Sequence, residues 1–237
     1  KVRRYHKYSR KELQWLAASI VIMAVIVGFD DGRETFSLVP WLGNFLLGLV
    51  AIAVAVFARE SAKRVTGLEQ GYSIEFKPVL YGLLGGLIVA FMSYGKIPLL
   101  AYSGMRMHTM EQHRLGYYRY QLGYFTQGKI ALFGILANVF LAVLFKLLVF
   151  LPDAVTEKFV FVNVLFAITN VLPIHMLDGA NLMYASRIIY AFTLGAVLGL
   201  SALLLLPGIH IAIVIIGTVA FGILFWALLL RFLERPA

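Results

Sequence analysis

Asn170-Val171-Leu172-Pro173-Ile174-His175-Met176-Leu177-Asp178-Gly179 places an acid at the foot of a long apolar run. From Phe159 to Leu177 the chain carries no Asp, Glu, Lys or Arg, which is enough length to cross a bilayer and deliver Asp178 to its edge. An ionisable group at that depth is costly without a partner, so Asp178 is a functional-site candidate. What it pairs with decides how the rest of the chain is read.

The whole sequence shares the character of that run. It is 61% hydrophobic and 14% charged, whereas a soluble domain is about a quarter charged. Several other runs also reach the length of a membrane span, which makes the expected fold an all-α polytopic membrane protein and a single membrane domain over 1–237. The chain has no cysteine, which excludes disulfides and thiolate-bound metal. Leu13 to Phe29 lacks a small-residue cleavage site and reads as a retained helix, not a signal peptide. The net charge of +9 sits in short loops at span ends, as expected of cytoplasmic flanks. A polyanion is not needed to explain it, so no nucleic-acid partner is expected; the expected surroundings are the lipid bilayer.

Six spans follow from hydropathy: Leu13 to Phe29, Leu38 to Ala58, Ile130 to Leu151, Phe159 to Leu177, Ile188 to Leu206 and Ile209 to Leu230. Basic flanks at Lys1 to Lys11, Arg59 to Arg64, Arg187 and Arg231 to Arg235 put both termini in the cytoplasm. Asp30 to Glu34 and Pro152-Asp153 become the opposite turns, and Lys146 snorkels toward that face. The segment 78–106 breaks the parity. Pro78 to Tyr94 is apolar, yet both its flanks look cytoplasmic, so Lys96 to Met105 must return across the bilayer in few residues. Extended backbone is tolerated there only when buried in protein or lining a cavity. A re-entrant hairpin lining an internal groove is therefore expected. The loop from Met107 to Lys129, with Tyr117, Tyr118, Arg119, Tyr120 and Tyr124, reads as an interfacial aromatic anchor.

Three short motifs, in order, resemble those of the site-2 protease family, the intramembrane zinc metalloproteases. Asn170, Pro173, Leu177, Asp178 and Gly179 match an Asn-x-x-Pro-x-Pro-x-Leu-Asp-Gly pattern, with His175 at the second proline. Gly134-Ile135-Leu136-Ala137-Asn138 matches a Gly-Pro-x-x-Asn pattern, with isoleucine for proline. Arg59-Glu60-Ser61-Ala62-Lys63 stands where the family carries His-Glu-x-x-His. The resemblance implies a protease-like core over about 38–179 and a helix pair over about 188–231. In that family the two histidines and an aspartate hold Zn²⁺, and the glutamate is the general base. Carried over, Glu60 is a vestigial base position and Asp178 a vestigial zinc-ligand position, while Asn138, Asn170, Pro173 and Gly179 support the groove. Both asparagines also read as hydrogen-bonding partners of a broken helix.

Arg59 and Lys63 have no lone pair to offer zinc. They lie at i and i+4, on one helical face, and an Arg59–Asp178 or Lys63–Asp178 ion pair is expected in place of the metal. The simpler alternative leaves Arg59 to Arg64 as ordinary positive charge at a helix end. A histidine rescue, with His108, His113 or His175 joining Asp178 at a metal, fits no familiar ligand spacing. His6 reads as an interfacial charge and His210 as an outer-edge helix residue.

The expected function is that of a catalytically inactive relative with no cofactor, which binds or regulates membrane-protein partners, through their transmembrane segments, at the groove that once held the zinc site. An active zinc protease with unusual ligands and a structural subunit of a membrane complex are the alternatives. A transporter would show paired broken helices in two related halves, and the sequence has none.

Overall fold

The computed structural model describes residues 8–30, 37–109, 123–148, 150–206 and 209–233. The amino-terminal basic flank with His6, most of the acidic turn, the centre of the Tyr- and Arg-rich loop with His113, Pro207-Gly208 and Arg235 lie outside them.

The chain is mostly helical. Helices α1 (Arg10–Gly28) and α2 (Leu38–Glu69) are followed by strand β1 (Tyr72–Pro78), short helix α3 (Leu80–Met92) and strand β2 (Ser103–Thr109). Then come α4 (Tyr124–Leu147), α5 (Asp153–Val171), short α6 (Asp178–Ala185), α7 (Arg187–Leu204) and α8 (Ile211–Leu233). Six of these helices, α1, α2, α4, α5, α7 and α8, are long and apolar enough to cross a membrane. The all-α expectation thus describes the spans; the chain adds one two-stranded antiparallel sheet, running from Tyr72 opposite Thr109 to Pro78 opposite Ser103.

Several boundaries differ from the hydropathy reading: α1 and α5 begin at Arg10 and Asp153, ahead of Leu13 and Phe159, α4 runs Tyr124–Leu147 where Ile130 to Leu151 was expected, and the expected loop from Met107 to Lys129 gives its ends to β2 and α4. Two helix ends differ for a local reason. The second span was expected to stop at Ala58, but α2 runs on through the charged stretch to Glu69. Arg, Glu, Ala and Lys are all good helix formers, and termination waits for Gly71, whose φ of 85° suits a residue just past a helix end. The span from Phe159 was expected to reach Leu177, but α5 stops at Val171. Pro173 pushes Leu172 out of the helical region, to φ −61° and ψ 140°.

Helix α2 is the centre of the bundle, packed by α1, α4 and α5. Leu16, Met23, Ile52, Ala55 and Phe166 form its dry interior with Tyr102. Between helices in lipid, such close van der Waals packing replaces the hydrophobic drive. The sheet closes one end. Tyr72, Ile74 and Phe76 are buried while Glu75 and Lys77 are exposed, the alternation of a half-buried strand.

The segment 78–106 folds back on itself. Helix α3 is about 20 Å long by its rise per residue, short of the ~30 Å hydrocarbon core. The chain turns at Tyr94 and Gly95, both with positive φ, against Asp30 at the end of the bundle away from the sheet. It then returns without regular structure to Ser103. Gly82 and Gly86 make that return possible, because a Cβ at either would strike the carbonyl of Ala101 or Leu99.

Charged and polar side chains tie both ends. At the sheet end Glu12 completes a capping box with Ser9, accepts the Phe76 N–H at 2.9 Å and pairs with Arg64 at 2.7 Å. The Arg64 guanidinium also lies 3.9 Å over the Tyr8 ring. At the other end Lys158 donates to Asn44 Oδ1 at 2.8 Å and to the Val27 carbonyl at 3.3 Å, holding α5 to the last turn of α1.

Candidate functional site

The continuation of α2 past Ala58 carries Arg59, Glu60 and Lys63 into the interior instead of leaving them at a helix end. Arg59 is 0% exposed and Lys63 1%. The plain helix-end reading of these charges therefore fails: a solvated flank would not be sealed among α2, α4, α5 and the return segment.

Asp178 arrives from the other side. After Pro173 breaks α5, residues 172–177 form a tight non-helical turn, with the Ile174 N–H bonded to the Leu172 carbonyl at 2.8 Å and Met176 at φ 74°. Asp178 then opens α6. Gly179 lets α6 fold this close: a Cβ there would collide with the carbonyls of Val171 and Leu172. Pro173 sits on the exposed part of the turn, so it supports the site by ending α5, not by touching it.

The two cations meet the acid directly. Arg59 Nη2 donates to Asp178 Oδ2 at 2.6 Å, and Lys63 Nζ lies 2.8 Å from Asp178 Oδ1. Each carboxylate oxygen has its own cation, so both expected pairings are made at once. Arg59 Nη2 also donates to Asn170 Oδ1 at 2.6 Å, and Asn170 Nδ2 is fixed on the Phe166 carbonyl at 2.8 Å. Asn170 is thus a ligand of the guanidinium as well as a helix brace.

Glu60 belongs to the same cluster. Its Oε1 accepts from the Tyr102 hydroxyl at 3.0 Å and from Ser103 Oγ at 3.2 Å, and lies 3.7 Å from Arg59 Nη1. Ser103 Oγ in turn accepts from Arg59 Nη1 at 2.9 Å. The Tyr102 ring stacks beneath the guanidinium at 5.0 Å. Two cations and two carboxylates sum to zero, and charge-assisted hydrogen bonds of this kind are the strong ones. Burial alone would push the Asp178 carboxyl up; the Arg59 and Lys63 charges and hydrogen bonds outweigh it and hold the group below its ordinary range.

Helix α4 is shaped to admit this cluster. A Cβ at Gly134 would come within 2.7 Å of Lys63 Cε and 3.2 Å of Asp178 Oδ2. One turn further along α4, Asn138 Nδ2 bonds Asn163 Oδ1 at 3.2 Å and the Ala55 carbonyl at 3.5 Å. Asn138 therefore braces α4 against α2 and α5 and does not touch the charged cluster.

Tyr102 and Ser103 carry weight that the sequence reading did not assign. The available signal was two adjacent hydroxyl side chains on a return segment that had to be buried. Among the described residues, the candidate histidines His108 and His175 stay apart from Asp178. His108 pairs with Glu75 at 3.1 Å on the exposed sheet face, and His175 is exposed on the turn before Asp178. Among the described residues no three His, Cys, Asp or Glu side chains gather as a metal site would require.

These residues do not fit a zinc ion. Asp178 has both oxygens committed to cations, Glu60 is held by two hydroxyls and a guanidinium, and Arg59 and Lys63 offer no lone pair. The arrangement neutralises charge and staples α2, α5, α6 and the return segment together.

No protein-family model, curated protein or solved structure matches the chain. The fold itself defines a class: a mostly helical, multi-pass membrane protein with a buried, charge-balanced cluster near one end of its bundle.

Proposed function

We propose that the chain is a site-2-protease-like membrane protein whose zinc site has been replaced by an ion-pair lock, and that it holds transmembrane segments of other membrane proteins without cleaving them. The observation that carries this reading is the double clamp on Asp178, with Arg59 at 2.6 Å and Lys63 at 2.8 Å. Cations occupy the two positions where the resemblance expects histidines, and the vestigial base Glu60 faces hydroxyls and a guanidinium. The former zinc position is filled by buried ion pairs and is not the expected partner groove; the partner-binding side is supported instead by a groove of about 400 Å³ between α1 and α3, walled by Val21, Val25, Leu84, Leu87 and Phe91. Its walls are wholly apolar, as a transmembrane segment requires. In this reading the sheet end, with Arg64, Lys77 and Arg106, faces the cytoplasm.

Metal analysis of the purified protein tests the proposal, together with cleavage of a transmembrane substrate with and without a chelator. Substoichiometric zinc and no chelator-sensitive cleavage are expected. Stoichiometric zinc with cleavage lost in Glu60→Gln would establish the active protease instead. Photocrosslinkers placed at Leu84 and Leu87 are expected to capture a membrane-protein partner; capture of lipid alone would overturn the partner-binding part.

A further inference from the structure

At the end of the bundle away from the sheet, α2, α4, α5 and α7 enclose a groove of about 700 Å³. Its lining combines apolar Leu47, Val160 and Leu204 with polar Lys146, Thr156 and Glu157. Lys146 is half-buried in the last turn of α4. Among the described residues it makes no ion pair or hydrogen bond, and neither do the Thr156 hydroxyl and the Glu157 carboxylate. The neighbouring Lys158 also borders the groove, but its ammonium is held by the Asn44 and Val27 oxygens and its charge is met by Asp30. A cation, a hydroxyl and a carboxylate thus stand unpaired in one amphipathic groove, within about a turn of the helix ends, where headgroups meet acyl chains.

We propose that this groove binds one zwitterionic phospholipid bearing a free ammonium group. Its phosphate lies on Lys146 and Thr156, its ammonium on Glu157, and an acyl chain along Leu47, Val160 and Leu204. The charge pattern selects the occupant. A fatty acid leaves Glu157 facing a like charge, and an anionic phospholipid without an amine leaves it unmatched. Inorganic phosphate gains nothing from the apolar lining.

Native mass spectrometry of the full-length, delipidated protein tests this with phosphatidylethanolamine, phosphatidylglycerol, soluble phosphoethanolamine and inorganic phosphate. One phosphatidylethanolamine is expected to bind in preference to phosphatidylglycerol, with no uptake of either soluble probe. Lys146→Gln and the isosteric Thr156→Val should each weaken retention, the lysine change by about tenfold, the loss of one charge-assisted contact. Glu157→Gln should abolish the preference for the amine headgroup. Lys96→Gln, the same charge change at the same end but outside the groove, should leave binding as it is. Equal retention in Lys146→Gln, Thr156→Val and Lys96→Gln, or equal binding of the two phospholipids by the unaltered protein, would overturn the assignment.

Discussion

The backbone of Gly134 lies so close to Lys63 that a Cβ at position 134 would come within 2.7 Å of Lys63 Cε. The lysine cannot simply retreat, because its Nζ is held 2.8 Å from Asp178. Gly134→Leu should therefore destabilise the folded protein by about 1–3 kcal/mol, the usual cost of overpacking. Thermal unfolding in detergent measures it. Shortening the obstacle with Lys63→Ala should make the two changes markedly non-additive; simple addition would mean that Gly134 and Lys63 do not meet.

Charge balance leads to a second expectation. Arg59→Met leaves two buried carboxylates against one cation, and Asp178→Asn leaves two cations against one carboxylate. Each should cost about 3–5 kcal/mol, the penalty for leaving a buried charge uncompensated. Combined, the changes leave Lys63 and Glu60, again neutral, so the double variant should lose clearly less than the sum. A chemical or thermal unfolding series on the four proteins gives the coupling directly, and a coupling near zero would remove the lock from the account of stability.

The span pattern was legible because hydropathy reports it residue by residue. So was the meeting of Arg59 and Lys63 with Asp178, since i and i+4 spacing fixes a common face and an acid at a span's edge needs a counter-charge. The continuation of α2 to Glu69 was not, because six residues rich in charge look alike whether they are solvated or sealed. Burial is a tertiary property that no local pattern carries. The same holds for Tyr102 and Ser103, whose hydroxyls matter only because the return segment lays them on Glu60. Short α6 escaped notice because the run through Leu177 reads as one span, although Pro173 was the visible sign that α5 could not reach Asp178.

Acid should unlock the cluster. The Asp178 carboxyl is held below its ordinary range, so the stability it contributes is full above the free value of about 4 and is lost as pH falls through its folded value. Melting temperature in detergent should be little affected by this group between about pH 5 and 7 and fall below about pH 4. Asp178→Asn, less stable throughout, should show a shallower acid slope. An identical slope in the variant would assign the acid sensitivity to other carboxylates.

If Arg59 and Lys63 occupy the places of two metal-binding histidines, restoring imidazoles there should restore affinity for a divalent cation. Arg59→His/Lys63→His would put two nitrogen donors at i and i+4 on α2, facing an Asp178 carboxylate freed of its cations, with Glu60 adjacent. Three protein ligands and a solvent position make a tetrahedral site. The double variant should take up one Co²⁺ and show the visible bands of tetrahedral cobalt, while the unaltered protein shows none. Adding Asp178→Asn should weaken that binding, because the third ligand loses its charge. A folded double variant that takes up no cobalt would mean that more than two side chains separate this cluster from a metal centre, and the likeness to the zinc proteases would lose its strongest support.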